Sequence, residues 1–202
     1  MIRVTGLCKT FGGGDAPAGR AGETGRQVLA GVDLTIDGPT VLMGPSGQGK
    51  TTLLRILMGL ETPDTGSIEG LAGRRIAPMF QEDRLCPQLT AADNICLTGR
   101  GVTRAEAEAE LRALGFADAD LKTPAAKLSG GQKRRAALLR ALLCRGADLL
   151  LLDEPFTGMD GALVGQAAAA AVRLAAGRDT LLVTHDRQAA ALLGWPVTAL
   201  AE

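Results

Sequence analysis

Apolar positions recur along this chain in two rhythms. Ile2 to Thr10 has strand-like content, and Val28 to Ile36 sets Val32, Leu34 and Ile36 against Asp33, Thr35 and Asp37, the period-2 pattern of a strand with one buried face. These two predict an antiparallel flank to a sheet. Elsewhere the apolar residues run together: Thr40 to Met43, Leu149 to Leu152 and Thr180 to Val183 predict strands buried on both faces. Helical patterns cover Lys50 to Leu60, Arg104 to Leu114, Asp160 to Ala176 and Arg187 to Leu193. The second of these places Ala107, Leu111 and Leu114 on one face, and Gly115 is expected to stop it. After a turn at Pro63-Asp64-Thr65-Gly66, short strands are expected at Ser67 to Glu69 and Arg75 to Phe80, and the pattern from Gln81 to Asp148 is helical. Strands alternating with helices predict an α/β fold with a mostly parallel sheet.

One domain over 1–202 is expected, with a catalytic core at about 1–81 and 148–202 and an inserted helical subdomain at about 82–147. Gly12 to Arg26 is rich in Gly, Ala and charge and reads as a flexible hairpin connection. The 22 basic and 22 acidic side chains cancel, which argues against nucleic acid as a partner. Cys8, Cys86, Cys96 and Cys144 show no C-x-x-C pairing, only one His is present, and the cysteines read as small apolar residues of a reducing compartment. No secretory signal is expected at Met1 to Thr5. The most apolar regions, Ala136 to Leu152 and Ala167 to Ala176, are interrupted by Arg140, Arg145, Asp148 and Arg173, so no membrane span is expected. Any membrane role would need a partner chain.

Gly44-Pro45-Ser46-Gly47-Gln48-Gly49-Lys50-Thr51, followed by Thr52, fits G-x-x-x-x-G-K-[ST] between a predicted strand and a predicted helix, the context a phosphate-binding loop requires. Glycine lets backbone N–H groups crowd against phosphate oxygens, and the helix start adds unpaired donors and a positive dipole end. Lys50 is expected to reach the β- and γ-phosphates and Thr51 to ligate Mg²⁺. Asp153 closes the leucine run, where a carboxylate can hold Mg²⁺, and Glu154 directly after it can polarise an attacking water as general base. Leu128-Ser129-Gly130-Gly131-Gln132 opens an Arg- and Leu-rich helix with Ser129 as its cap. Physics alone reads that turn as an ordinary capped helix.

Leu128 to Gln132 also reproduces the signature sequence of the ATP-binding cassette (ABC) ATPases, and on that ground the chain is identified as a member of that family. The resemblance covers the whole chain. Gly44 to Thr51 is similar to the Walker A loop, Leu149 to Glu154 to Walker B, Gln81 in Met79-Phe80-Gln81-Glu82 to the Q-loop glutamine, Gly158-Met159-Asp160 to the D-loop, and His185 in Val183-Thr184-His185-Asp186 to the switch histidine. Phe11 matches the aromatic position that stacks on adenine. The resemblance implies a P-loop NTPase core, ATP and Mg²⁺ as cofactors, and a catalytic set of Lys50, Gln81, Glu154 and His185. It implies nucleotide contacts from Phe11, from 44–52, and from Ser129, Gly130, Gly131, Gln132 and Asp160, with Thr51, Gln81 and Asp153 at the metal. It further implies a head-to-tail homodimer in which Ser129 and Gly131 of one copy face the γ-phosphate held by Lys50 of the other.

Phe80-Gln81-Glu82-Asp83-Arg84-Leu85, continuing through Pro87, Leu89-Thr90 and Asn94-Ile95, is similar to cassettes of the nitrate, sulfonate, taurine and pyrimidine-precursor importers. Those usually carry Trp after the proline, where this chain has Gln88, and they have a longer C-terminal tail. The resemblance implies an ATPase subunit at the cytoplasmic face of the membrane, joined to transmembrane permease subunits and working with a separate substrate-binding protein. The alternatives are a soluble cassette acting in cofactor assembly, on ribosomes or on DNA, and a nucleotide-binding regulator without turnover. The absence of long coiled-coil heptads between Walker A and Walker B argues against the first, and the intact Glu154 and His185 argue against the second.

Overall fold

The computed structural model describes residues 1–12 and 25–200. The expected connection at Gly12 to Arg26 lies almost wholly outside the described residues. In chain order the elements are β1 (Ile2–Phe11), β2 (Arg26–Ile36), β3 (Pro39–Met43), α1 (Lys50–Leu57), β4 (Thr65–Glu69), β5 (Ile76–Met79), α2 (Ala91–Thr98), α3 (Arg104–Ala113), α4 (Asp118–Leu121), α5 (Gly130–Leu142), β6 (Leu149–Asp153), α6 (Gly161–Ala175), β7 (Asp179–Thr184), α7 (Arg187–Leu193) and β8 (Val197–Ala199). The fold is α/β. Five parallel strands form one sheet in the order β5-β6-β7-β3-β8, and β2-β1-β4 form an antiparallel sheet.

The leucine run shows why a sheet buried on both faces needs no alternation of polarity. Leu150 and Leu152 face a core built with Leu111, Leu138, Leu139 and Ala171 of the helices. Leu149 and Leu151 face the other way, into a core shared with Leu53, Leu54 and Leu57 of α1 and Ile2, Val4 and Ile36 of the antiparallel sheet. Successive side chains of a strand point to opposite faces. Each of these leucines is fully buried, a contribution of roughly 1.5–3 kcal/mol apiece.

Several elements end sooner than the pattern predicts. The helix expected over Lys50 to Leu60 stops at Leu57, because Gly59 turns left-handed at φ 70°. Gly59 N–H donates to Ile56 O and Leu60 N–H to Arg55 O, both at 2.9 Å, the two-bond closure that glycine makes cheap after a last helical turn. β5 spans only Ile76–Met79 of the expected Arg75 to Phe80, and Pro78 sits on this edge strand, where a missing donor costs nothing. The stretch from Gln81 to Asp148 holds α2 to α5 and a 3₁₀ turn at Ala125–Lys127, while 80–90 is non-helical. Asp160 lies outside the helix it was expected to begin and caps α6 instead, accepting from Leu163 N–H at 2.9 Å.

Candidate functional site

The loop 44–49 leaves the carboxyl end of β3 and turns directly into α1. Gly49 is the capping residue at φ 83°, and no side chain caps the helix. A Cβ built on Gly49 would stand 2.5 Å from Val28 O and 2.6 Å from Leu29 Cδ2, so both conformation and space demand glycine. The uncapped start presents backbone donors to an outside acceptor. Lys50 is buried. Its Nζ donates to Gly44 O and Pro45 O at 2.7 Å each, so the loop is wrapped around its own ammonium.

One residue on, Thr51 Oγ1 donates to Asp153 Oδ2 at 2.9 Å. This pair joins the start of α1 to the end of β6. Burial pushes the Asp153 carboxyl above its ordinary value and the neighbouring Glu154 charge adds to that, while the Thr51 hydrogen bond, Arg134 and Lys50 oppose. A buried carboxylate destabilised in this way, beside a hydroxyl, is a hard oxygen pair suited to a cation such as Mg²⁺.

Parallel pairing sets the next residue. β6 and β7 align Asp153 with Val183, which brings Glu154 beside Thr184 and His185. Glu154 N–H donates to Val183 O at 2.9 Å. Its carboxylate accepts from Thr184 Oγ1 at 3.2 Å and lies 2.8 Å from His185 Nδ1. Glu154 holds φ 47°, a left-handed conformation that costs a non-glycine residue about 1–3 kcal/mol and is found where a site requires it.

Gly49, Lys50, Thr51, Asp153 and Glu154 line a cleft of about 350 Å³ with Phe11, Ser46, Gly47, Thr52 and Gln81; Thr184 and His185 do not line it. Gln81, Thr51 and Asp153 also line an adjoining cleft of about 300 Å³ whose far wall is Leu54, Met58, Leu60 and Phe80. Phe11 is 40% exposed, and Lys9 Nζ sits 5.2 Å from its ring centre. Gly44 and Pro45 share a separate hollow with His185, and Gln48 lines none of the three. Ser129, Gly130, Gly131, Gln132 and Asp160 do not line the cleft. Ser129 Oγ accepts from Gln132 N–H at 3.2 Å and Gln132 Oε1 from Ser129 N–H at 2.9 Å, a reciprocal cap that engages the Gln132 side chain within its own chain.

Arg134 is a residue of this site that the pattern does not single out, and Asn94 figures in it only within the importer-like segment 80–95. Asn94 is fully buried and bonds the backbone of 86–90, and Arg134 is buried against the backbone of both 80–81 and 153–154. The signal for Arg134 is its spacing: it stands three, four and seven residues before Ala137, Leu138 and Ala141, which puts a charge on the apolar stripe of α5.

The family model described as ABC transporter matches residues 30–157, more than half of the chain. The aliphatic sulfonates import ATP-binding protein SsuB 1 of Nocardia farcinica is 46% identical over 163 residues, which are 79% of this chain and 60% of that protein. The Fe(3+) ions import ATP-binding protein FbpC of Mesorhizobium japonicum is 45% identical over 179 residues, 79% of this chain and 49% of that protein. The match to these two curated relatives thus spans 60% and 49% of their own lengths. Among solved structures, a dimeric bacterial ABC transporter cassette superposes at TM-score 0.79 with 26% identity over 99% of this chain and 94% of that one. A dimeric ATP-binding cassette in a post-hydrolysis state, bound to ADP and Pi, superposes at 0.78 with the same identity and coverage. With a family model that matches residues 30–157 and relatives of this similarity, the chain belongs to the ABC transporter family.

Proposed function

We propose that this chain is the ATP-hydrolysing subunit of a membrane importer and works as a head-to-tail pair. The observation that carries the reading is the convergence on one cleft of the Lys50 loop, the Thr51–Asp153 pair and Glu154, the last held by His185 from outside that cleft's lining. The triphosphate of ATP lies along the open start of α1, where Lys50 exchanges its two carbonyl acceptors for phosphate oxygens. Phe11 offers a ring for the base. Thr51 and Asp153 are the residues that hold Mg²⁺, with Gln81 within reach from the cleft wall. Bound Mg²⁺ supplies charge neutralisation at the transferring phosphoryl group. Glu154 takes the proton of the attacking water, and His185 orients its carboxylate.

The second copy follows from the signature turn. A capped helix start with exposed Ser129 and Gly130 is suited to an anion, yet it does not line its own chain's cleft. In a two-fold pair, Ser129 and Gly131 of each copy meet the γ-phosphate in the other, with Asp160 at the seam. The two dimeric cassettes of similar fold support this arrangement.

Import is supported by the printed functions of the sulfonate and ferric-ion relatives. Among the described residues no helix is long and apolar enough to cross a membrane. In this reading permease subunits carry the pathway and this chain sits on their cytoplasmic face. A separate substrate-binding protein completes the importer. The residues from about 82 to 147 act as a helical subdomain, and the adjoining cleft with exposed Leu60 receives a cytoplasmic helix of the permease. The test is Mg²⁺-dependent phosphate release by the purified chain, with Lys50→Ala as its partner variant. Saturable hydrolysis, with ATP affinity lowered at least about tenfold in the variant, supports the reading. Wild-type affinity in Lys50→Ala contradicts it.

A further inference from the structure

Arg134 lies in the second turn of α5, counting from the Ser129 cap, and is 5% exposed. Nη1 donates to Phe80 O and Gln81 O at 2.8 Å each and to Asp83 Oδ1 at 3.2 Å. Nη2 donates to Glu154 O at 2.7 Å and to Asp153 O, and Nε reaches Glu154 O at 3.2 Å. The fixed fork of a guanidinium can serve acceptors on two sides at once, and a lysine ammonium cannot. Here the fork faces two segments that are far apart in sequence and adjoin the same cleft.

The consequence falls on Glu154. Its N–H is tied to Val183 O in β7 and its C=O to Arg134, so both backbone groups of a left-handed non-glycine residue are fixed from outside. The same guanidinium fixes the carbonyl of Gln81. Arg140, further along α5, bonds Asp83 O at 2.9 Å and Arg84 O at 2.6 Å, so α5 grips the 80–84 segment at two points.

We infer that Arg134 is a positioning residue: it makes the signature end of α5, the Glu154 backbone and the Gln81 backbone one rigid unit, so that seating of the signature turn is transmitted directly to the groups that address the water. This rests on the ATPase reading above. A purely structural arginine would affect folding and nucleotide binding together; a positioning residue affects turnover at constant affinity, because the displaced groups act on the reacting atoms rather than on the triphosphate.

The test uses Arg134→Lys, which keeps the charge but not the fork, and Arg134→Met, which keeps the volume with no donor and no buried charge to leave unpaired. In whichever variant retains a cooperative melting transition, kcat falls at least about tenfold while the Kd for ATP stays within about twofold. A kcat within about twofold of wild type, or a loss of kcat matched by an equal loss of ATP affinity, overturns the inference. Loss of the melting transition in both variants also overturns it, since Arg134 is then a folding residue. An absence of hydrolysis in the wild-type chain instead removes the ATPase reading, and that failure is visible before any variant is compared.

Discussion

His185 Nδ1 lies 2.8 Å from Glu154 Oε1. An ionised carboxylate only accepts, so Nδ1 carries the proton in this contact, and in the neutral ring Nε2 is left as an acceptor. His185 is largely exposed, so the contact does not depend on packing around the ring; it depends on the strand register that sets Glu154 beside Thr184. His185→Ala should therefore fold normally and bind ATP with unchanged affinity. Phosphate release should fall about 10²-fold, the scale of losing an oriented general base. Unchanged turnover would show that Glu154 needs no orienting partner.

Asn94 makes a stability prediction. Its Oδ1 accepts from Cys86 N–H at 2.7 Å, and Nδ2 donates to Cys86 O at 3.1 Å and Thr90 O at 2.9 Å. One fully buried amide thus closes the non-helical segment between Phe80 and α2. Asn94→Ala removes it and strands backbone groups away from water, a loss of about 2–4 kcal/mol. Urea unfolding should show a lower midpoint with unchanged slope. A midpoint equal to wild type would mean that the segment is held by other contacts.

Glu106 sets a pH dependence. It accepts from the Thr103 backbone N–H, from Arg145 and from the Thr103 hydroxyl, and these hold its carboxyl down to about 2 from an ordinary 4.5. A depressed carboxyl contributes stability that is present above its unfolded value and is lost as pH falls toward its folded value. The stability gap between wild type and Glu106→Gln should be full near neutrality and narrow as pH falls below 4.5 toward about 2. Urea midpoints of both proteins from about pH 7 down to about pH 3 test this. A gap of constant size over that range would contradict the assignment.

Local signals made much of this legible from residue order. Leu149 to Asp153 reads as a doubly buried strand because four leucines leave no polar face, and Ser129 reads as a cap because its side chain bonds only three residues away. The loop at 44–51 is equally local. What stayed hidden is tertiary. Nothing in the order of residues says that Arg134 meets carbonyls 54 and 20 positions distant, or that Glu154 turns left-handed between β6 and the loop after it. The overlong α1 is a different case: Gly59 was a readable stop signal, masked by the apolar Leu60 that followed the helical spacing.

The composite site stands or falls on pairing. In Glu154→Gln, which retains the triphosphate contacts but lacks the base, light scattering of the purified chain should report twice the single-chain mass when ATP and Mg²⁺ are added and a return to one chain when they are removed. A mass that stays at one chain at every nucleotide concentration, with ATP demonstrably bound, would contradict the account.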